Sequence, residues 1–403
     1  MPSTLPEGDP VPADGSLPQE AIAELRNRPL SFYLHVPFCR SRCGYCDFNT
    51  YTAEELGPGA GRGDWVTAAL AEVELADRVL GSDRPAVSTV FVGGGTPTLL
   101  PPADLGRVLT EIDRRFGLTA DAEITTESNP DTVDREALDA LVAAGFNRIS
   151  FGMQSADEQV LQILDREHTA GRAQEAVAEA RAAGFRSVSL DLIYGTPGES
   201  LGSWRTSLEA ALAAEPDHLS AYALIIEEGT RLAARMRRGE LPLPDDDDLA
   251  DKYLLAESVL TAAGLDWYEV SNWARTPADQ CRHNLAYWRG DNWWGVGPGA
   301  HSHIGGVRFW NVKHPRSWSG RLAAGASPGY AREVLDAETR RIERVLLELR
   351  LAEGLALDVL TDEERARLDG PVDRGLVIVN SDRAVLTLDG RLLADGVVRD
   401  LLA

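Results

Sequence analysis

From residue 31 to about residue 275, short apolar runs rich in Val, Ile, Leu and Phe alternate with longer stretches whose apolar residues recur every three or four positions. The short runs predict strands at 32–36, 87–92, 123–126, 148–151, 187–193 and 219–224. The longer stretches predict helices at 65–79, 102–115, 135–144, 173–183 and 203–214, two of them followed by an Ala-Gly-Phe stop. A helix between two strands returns the chain in the same direction, so the alternation implies parallel pairing. The fold class is therefore α/β, with the sheet closed or nearly closed into a partial (β/α) barrel. Such barrels carry their chemistry at the C-terminal ends of the strands.

The polar and Gly-rich residues gather at those ends. The second strand runs into Gly93-Gly94-Gly95-Thr96-Pro97, the third into Glu127-Ser128-Asn129-Pro130, and the fourth into Gly152-Met153-Gln154. The fifth carries Asp191 before Tyr194-Gly195-Thr196-Pro197-Gly198, and the sixth leads to Glu227-Glu228-Gly229-Thr230. One such turn is ordinary punctuation, but five in register point to one site. Residues 1–30 read as a flexible leader ending at Arg28-Pro29, residues 31–275 as the barrel domain and 276–403 as a C-terminal domain. Within the last, an amphipathic stretch at 342–350, a hairpin from 376–379 and 384–388, and a helix at 392–402 suggest a small α+β, winged-helix-like module. The acidic run Asp245 to Asp248 reads as a solvated loop before a helix at 249–263.

The most informative chemistry follows the first strand. Cys39, Cys43 and Cys46, spaced Cys-x3-Cys-x2-Cys, are three of only four cysteines in the chain. No secretory signal is evident at the start of the sequence, which argues against a disulfide framework and for the cytoplasm. A redox pair of Cys43 and Cys46 would leave Cys39 idle. Zinc with His35 as fourth ligand is a second reading, although His35 and Cys39 flank a Pro-Phe step. Three thiolates on one loop also suit a [4Fe–4S] cluster whose fourth iron stays open to a small molecule. The net charge of −23, from 40 basic and 63 acidic residues, argues against broad nucleic-acid binding. The sequence contains no apolar run of about 18 residues, so no transmembrane segment is expected.

Together with the three-glycine turn, the Tyr-Gly-Thr-Pro-Gly segment and His283-Asn284-x-x-Tyr287-Trp288, the cysteine loop resembles the radical S-adenosylmethionine (SAM) superfamily. The likeness, over about residues 31 to 400, is greatest to the branch holding the oxygen-independent coproporphyrinogen III oxidases and the HemW-type haem chaperones. It implies that Cys39, Cys43 and Cys46 hold the cluster and that SAM caps the open iron. By motif, Tyr33, Tyr45, Phe48, Gly94, Gly95, Thr96, Glu127, Gln154, Arg166 and Asp191 fall at SAM-contact positions, with Arg166 a carboxylate partner. The decarboxylating enzymes carry a fourth cysteine where this chain has Phe48. That departure favours the chaperones, for which the resemblance implies haem as ligand, haem-accepting proteins and an electron donor as partners, and His283 as a candidate iron ligand. Cys281 is a second candidate. A structural layer of His283, Asn284, Tyr287 and Trp288 is the competing reading of that segment. Coproporphyrinogen III oxidation is the alternative function, and a tRNA-modifying activity is disfavoured by the acidic charge.

Overall fold

The computed structural model describes residues 5–56, 61–167, 169 and 171–403. Six strands follow the expected order: β1 (Leu30–Val36), β2 (Val87–Gly94), β3 (Leu118–Ser128), β4 (Arg148–Gln154), β5 (Ser187–Tyr194) and β6 (His218–Ala223). Between them run α1 (Arg62–Leu80), α2 (Pro102–Phe116), α3 (Arg135–Ala143), α4 (Arg172–Ala183) and α5 (Leu201–Leu212). Local chemistry sets their ends. Pro102 opens α2 where its missing N–H costs nothing, and the Asp134 and Ser200 side chains accept from the first-turn amides of α3 and α5.

All six strands pair in parallel, in sequence order. The chain then adds α6 (Asp246–Ala262), the short β7 (Asp266–Glu269) and β8 (Asn272–Ala274), α7 (Arg282–Trp288), and β9 (Asn292–Val296). Strand β9 lies parallel to β1 on the side away from β2, making seven parallel strands. The sheet is open: the α/β class and the partial barrel are as expected, and only its closure or near closure is corrected. Both ends of the parallel set are taken by antiparallel partners: β8 runs against β6, and β10 (His301–Ile304) runs against β9. With its edge hydrogen bonds already used, neither end is free to close on the other.

The boundary expected at residue 275 falls inside this sheet, which continues through β11 (Val307–Asn311) and β12 (Gly329–Val334). Residues 9–27 are packed rather than leader-like. Asp9–Pro10 pairs with β12, and Ala21 and Leu25 are buried in the main core. A separate small core forms from α8 (Ala337–Glu348) onward. It is built from Val345, Leu349, Leu355, Val398 and Leu401 around the hairpin β13 (Val377–Asn380) and β14 (Arg383–Leu386) and the last helix, α9 (Ala394–Leu402). The acidic run is not a loop. Asp245 caps α6 and Asp246, Asp247 and Asp248 form its first turn, where the positive end of the helix dipole favours carboxylates.

The side-chain alternation of the strands positions the site. Val90, Val92, Phe151, Leu190, Leu192, Leu219 and Ala221 are buried in the core. The alternate residues Phe91, Thr125, Glu127, Ser150, Gly152, Ser189, Asp191, Ser220 and Tyr222 line a cavity of about 1300 Å³.

Candidate functional site

The cysteine loop is fastened at its base by backbone bonds. Cys39 N–H donates to Tyr51 C=O (3.0 Å), Tyr51 N–H to Pro37 C=O (2.7 Å), Gly95 N–H to Val36 C=O (2.8 Å) and Thr96 N–H to Phe38 C=O (2.7 Å). Its tip is held by Gly44, whose N–H donates to Leu164 C=O (2.8 Å) and whose C=O accepts from Leu232 N–H (2.9 Å). Phe38 and Cys39 pass so close to the three-glycine turn that a Cβ on Gly95 would sit 2.5 Å from Phe38 O and 3.0 Å from Cys39 Sγ. Gly94 has φ +111°, a conformation that L side chains rarely adopt, and its Cβ would meet the His35 ring.

Cys39, Cys43 and Cys46 are free, half-buried thiols that line this cavity. Burial, then the neighbouring Cys46, pushes the Cys39 thiol up to about 11, and burial raises Cys46 as well. Bound cations reverse that penalty, so the donor set is poised for metal rather than for a free thiolate. Among the described residues no three His, Cys, Asp or Glu side chains converge as a single metal ion requires. His35 does not complete a zinc site: Nδ1 is hydrogen-bonded to Tyr33 Oη (3.0 Å) and Nε2 to Asn49 C=O (2.9 Å). Three soft donors on one loop, beside a turn stripped of side chains, fit an iron–sulfur cluster better than zinc.

All ten positions expected to hold SAM line the same space. Gly94 N–H donates to Glu127 Oε2 (3.0 Å). Burial, reinforced by Asp191, holds Glu127 up to about 8. Asp191 accepts from Ser150 Oγ (2.9 Å) and is itself raised by burial. Gln154 has φ +66°, a strained backbone at the end of β4 of the sort that persists where a site over-determines it. Arg166 places Nη1 3.8 Å from Cys43 Sγ and donates through Nη2 to Gly152 C=O (2.7 Å), while its buried Nε has no partner. A buried guanidinium with an unused donor beside Cys43 suits a carboxylate. Tyr33, Tyr45, Phe48, Gly95 and Thr96 line the cavity too.

His283 is brought to the same cavity, yet both ring nitrogens are engaged: Nδ1 with Thr89 Oγ1 (2.7 Å) and Nε2 with Tyr287 Oη (2.8 Å). The ring stacks on Phe91 at 5.2 Å, and burial drives its pKa down to about 3. Buried Glu269 accepts from Asn272 Nδ2 and is held up to about 7 by its burial. Both ring nitrogens of His283 are thus hydrogen-bonded in this arrangement. Cys281 is buried, its thiol raised far by burial and its Sγ 3.8 Å from Glu123 Oε1. The Glu123 carboxylate also accepts from the backbone N–H of Arg282 and His283 (3.1 Å each), which anchors the start of α7 to β3.

Several cavity residues escaped the sequence reading: Arg148, Ser150, Ser189, His218 and Ser220. The signal was present as polar residues at alternate positions of otherwise apolar strands. Residues from far along the chain also brace the cysteine loop. Asn49 donates to Pro298 C=O (2.9 Å) and Lys313 C=O (2.8 Å). The turn that carries Pro298 is held by buried Glu72, which accepts from Gly297 N–H (2.8 Å), Asn311 Nδ2 (2.7 Å) and Trp318 Nε1 (2.7 Å).

Comparison with known proteins agrees with this geometry. Residues 33–211 match the radical SAM superfamily. The chain is 52% identical over 381 residues to the "Heme chaperone HemW" of Mycobacterium tuberculosis (strain ATCC 25618 / H37Rv), covering 94% of this chain and 97% of that protein. It is 35% identical to the protein of the same name from Escherichia coli (strain K12), covering 93% and 98%. Among solved structures, coproporphyrinogen III oxidase (HemN) from Escherichia coli, described as a radical SAM enzyme, superposes with a TM-score of 0.80 at 25% identity, covering 96% of this chain and 94% of that one. Among the described residues no helix is long and apolar enough to cross a membrane. With its three-thiol loop at the strand ends and near full-length relatives, the chain belongs to the radical SAM superfamily and, within it, to the HemW family.

Proposed function

We propose that this protein is a cytoplasmic haem chaperone that binds a [4Fe–4S] cluster, SAM and haem and passes haem to haem-requiring proteins, with a separate electron donor for the cluster. The observation that carries this reading is Phe48, which stands 58% exposed at the cavity where the decarboxylating relatives' fourth cysteine would be. The near full-length match to relatives named heme chaperone supports it. In this reading Cys39, Cys43 and Cys46 hold the cluster. Arg166 pairs with the SAM carboxylate, and the Gly94-Gly95-Thr96 turn admits SAM close to the backbone. Glu127, Asp191 and Gln154 bound the pocket, and Tyr33, Tyr45 and Phe48 wall it. When bound, the cluster supplies one electron and SAM the sulfonium bond that accepts it. Glu127, neutral near pH 7, can donate as well as accept a hydrogen bond.

The test is anaerobic reconstitution with iron and sulfide, followed by haem titration in the Soret region and incubation with coproporphyrinogen III. Stoichiometric haem binding without conversion of coproporphyrinogen III is the expected result. Turnover of coproporphyrinogen III with release of 5′-deoxyadenosine, and no haem binding, would replace this reading with the oxidase.

A further inference from the structure

If haem is the cargo, the structure also indicates where it rests. The deep part of the cavity suits it poorly. Ser150, Ser189, Asp191 and Ser220 line it with hydroxyls and a carboxylate, which an apolar macrocycle would desolvate without replacing their hydrogen bonds. Neither histidine there is free. His283 is engaged at both nitrogens, and His218 bonds through Nδ1 to Ser189 Oγ (2.8 Å) and through Nε2 to Tyr268 Oη (2.8 Å).

The loops at the strand ends are different. Phe48, in the loop after β1, is 58% exposed, and Ile225, in the loop after β6, is 69% exposed. Both line the cavity, as does Tyr222 at 42%. The two loops share one apolar cluster, Tyr45 and Ile226 packing on it with Leu224 and Leu232, and Leu232 N–H, in the helix Arg231–Arg237 that follows the second loop, donates to Gly44 C=O (2.9 Å). Large apolar side chains left in water beside a cavity mark a ligand or partner surface. Arg40, on the same rim, is exposed and has no ion-pair partner among the described residues. Apolar side chains with one unpaired guanidinium complement a flat apolar ring edged by carboxylates.

We infer that haem docks at the cavity rim, its macrocycle packed against Phe48, Tyr222 and Ile225 and a propionate paired with Arg40, and not on His283. This rests on the chaperone reading above. The test uses the reconstituted full-length chain, titrated in parallel with haem and with metal-free protoporphyrin. Because the contact is with the ring, Ile225→Glu should weaken both probes by about tenfold or more. Arg40→Glu should weaken both, with an effect that shrinks as salt rises. Leu393→Glu, an exposed apolar position in the C-terminal module, should leave both affinities unchanged. Wild-type affinity for both probes in Ile225→Glu, with the unaltered chain binding haem, would overturn the inference and leave the chaperone reading standing. Failure of the unaltered chain to bind haem would instead overturn the chaperone reading, and this site with it.

Discussion

Glu72 provides a test of how the molecule is braced that does not depend on any cofactor. It is fully buried on α1 and joins that helix to the Gly297 turn, to Asn311 on β11 and to Trp318. Burial pushes its carboxyl from the ordinary 4.5 up to about 7, against the opposing pull of three donors. The folded-state pKa is therefore the higher one. Below the ordinary value Glu72 is protonated whether the chain is folded or not. Between the two values the unfolded chain releases the proton and the folded chain keeps it, so stability falls as pH rises; above about 7 the loss is complete. At about 1.4 kcal/mol for each pH unit, the full loss is roughly 3 kcal/mol. Glu72→Gln keeps the shape and removes the ionisation. Its stability relative to wild type should therefore improve by roughly 2–3 kcal/mol between about pH 5 and about pH 8. The amide's own mismatch with the donors is a constant offset, and remote titrating groups cancel in the difference. Guanidinium unfolding of both proteins across this range, followed by far-UV circular dichroism, measures it. A difference that stays flat with pH would refute the assignment of Glu72 as a desolvated, titrating brace.

Three further outcomes are expected. Gly95→Ala puts a methyl within 2.5 Å of Phe38 O and 3.0 Å of Cys39 Sγ. It should destabilise by about 1–3 kcal/mol and lower the iron retained after reconstitution; full iron content would count against the close packing of turn and cysteine loop. Arg166→Lys replaces a fork by a point charge beside Cys43 and should weaken SAM binding by about tenfold in anaerobic calorimetry while iron content holds, and unchanged affinity would remove Arg166 from the SAM site. Glu123→Ala leaves the Arg282 and His283 amides without their acceptor and should cost about 1–3 kcal/mol, with faster amide exchange over residues 282–288; protection equal to wild type would show that Glu123 does not anchor α7.

Much of the fold was legible because its signals are local. Each parallel strand and its following helix shows its period within a dozen residues, and the Ala-Gly-Phe stops mark helix ends where Gly145 and Gly184 take positive φ. The reading of the acidic run was corrected by a local cap, Asp245 on its own helix, but the larger corrections turned on partners distant in sequence. Residues 9–27 look like a polar leader until β12 supplies a strand for Asp9–Pro10 and the core takes Leu25. His283, too, is engaged at Nδ1 by a residue far away in sequence, Thr89, 194 positions off. The partial barrel looks closed or nearly closed until the antiparallel strands from residues 272–274 and 301–304 occupy its edges.

By itself, then, the sequence determined the order of strands and helices, the ends at which chemistry gathers, and three thiols within eight residues. These follow from side-chain period, capping and ligand spacing, which are properties of neighbouring residues. Only the tertiary structure decided which side chains stay free. Glu72 meets Gly297 across 225 residues and Asn49 meets Lys313 across 264. Such pairings are chosen by sheet register and helix packing, which bring buried donors and acceptors together wherever they lie in the chain.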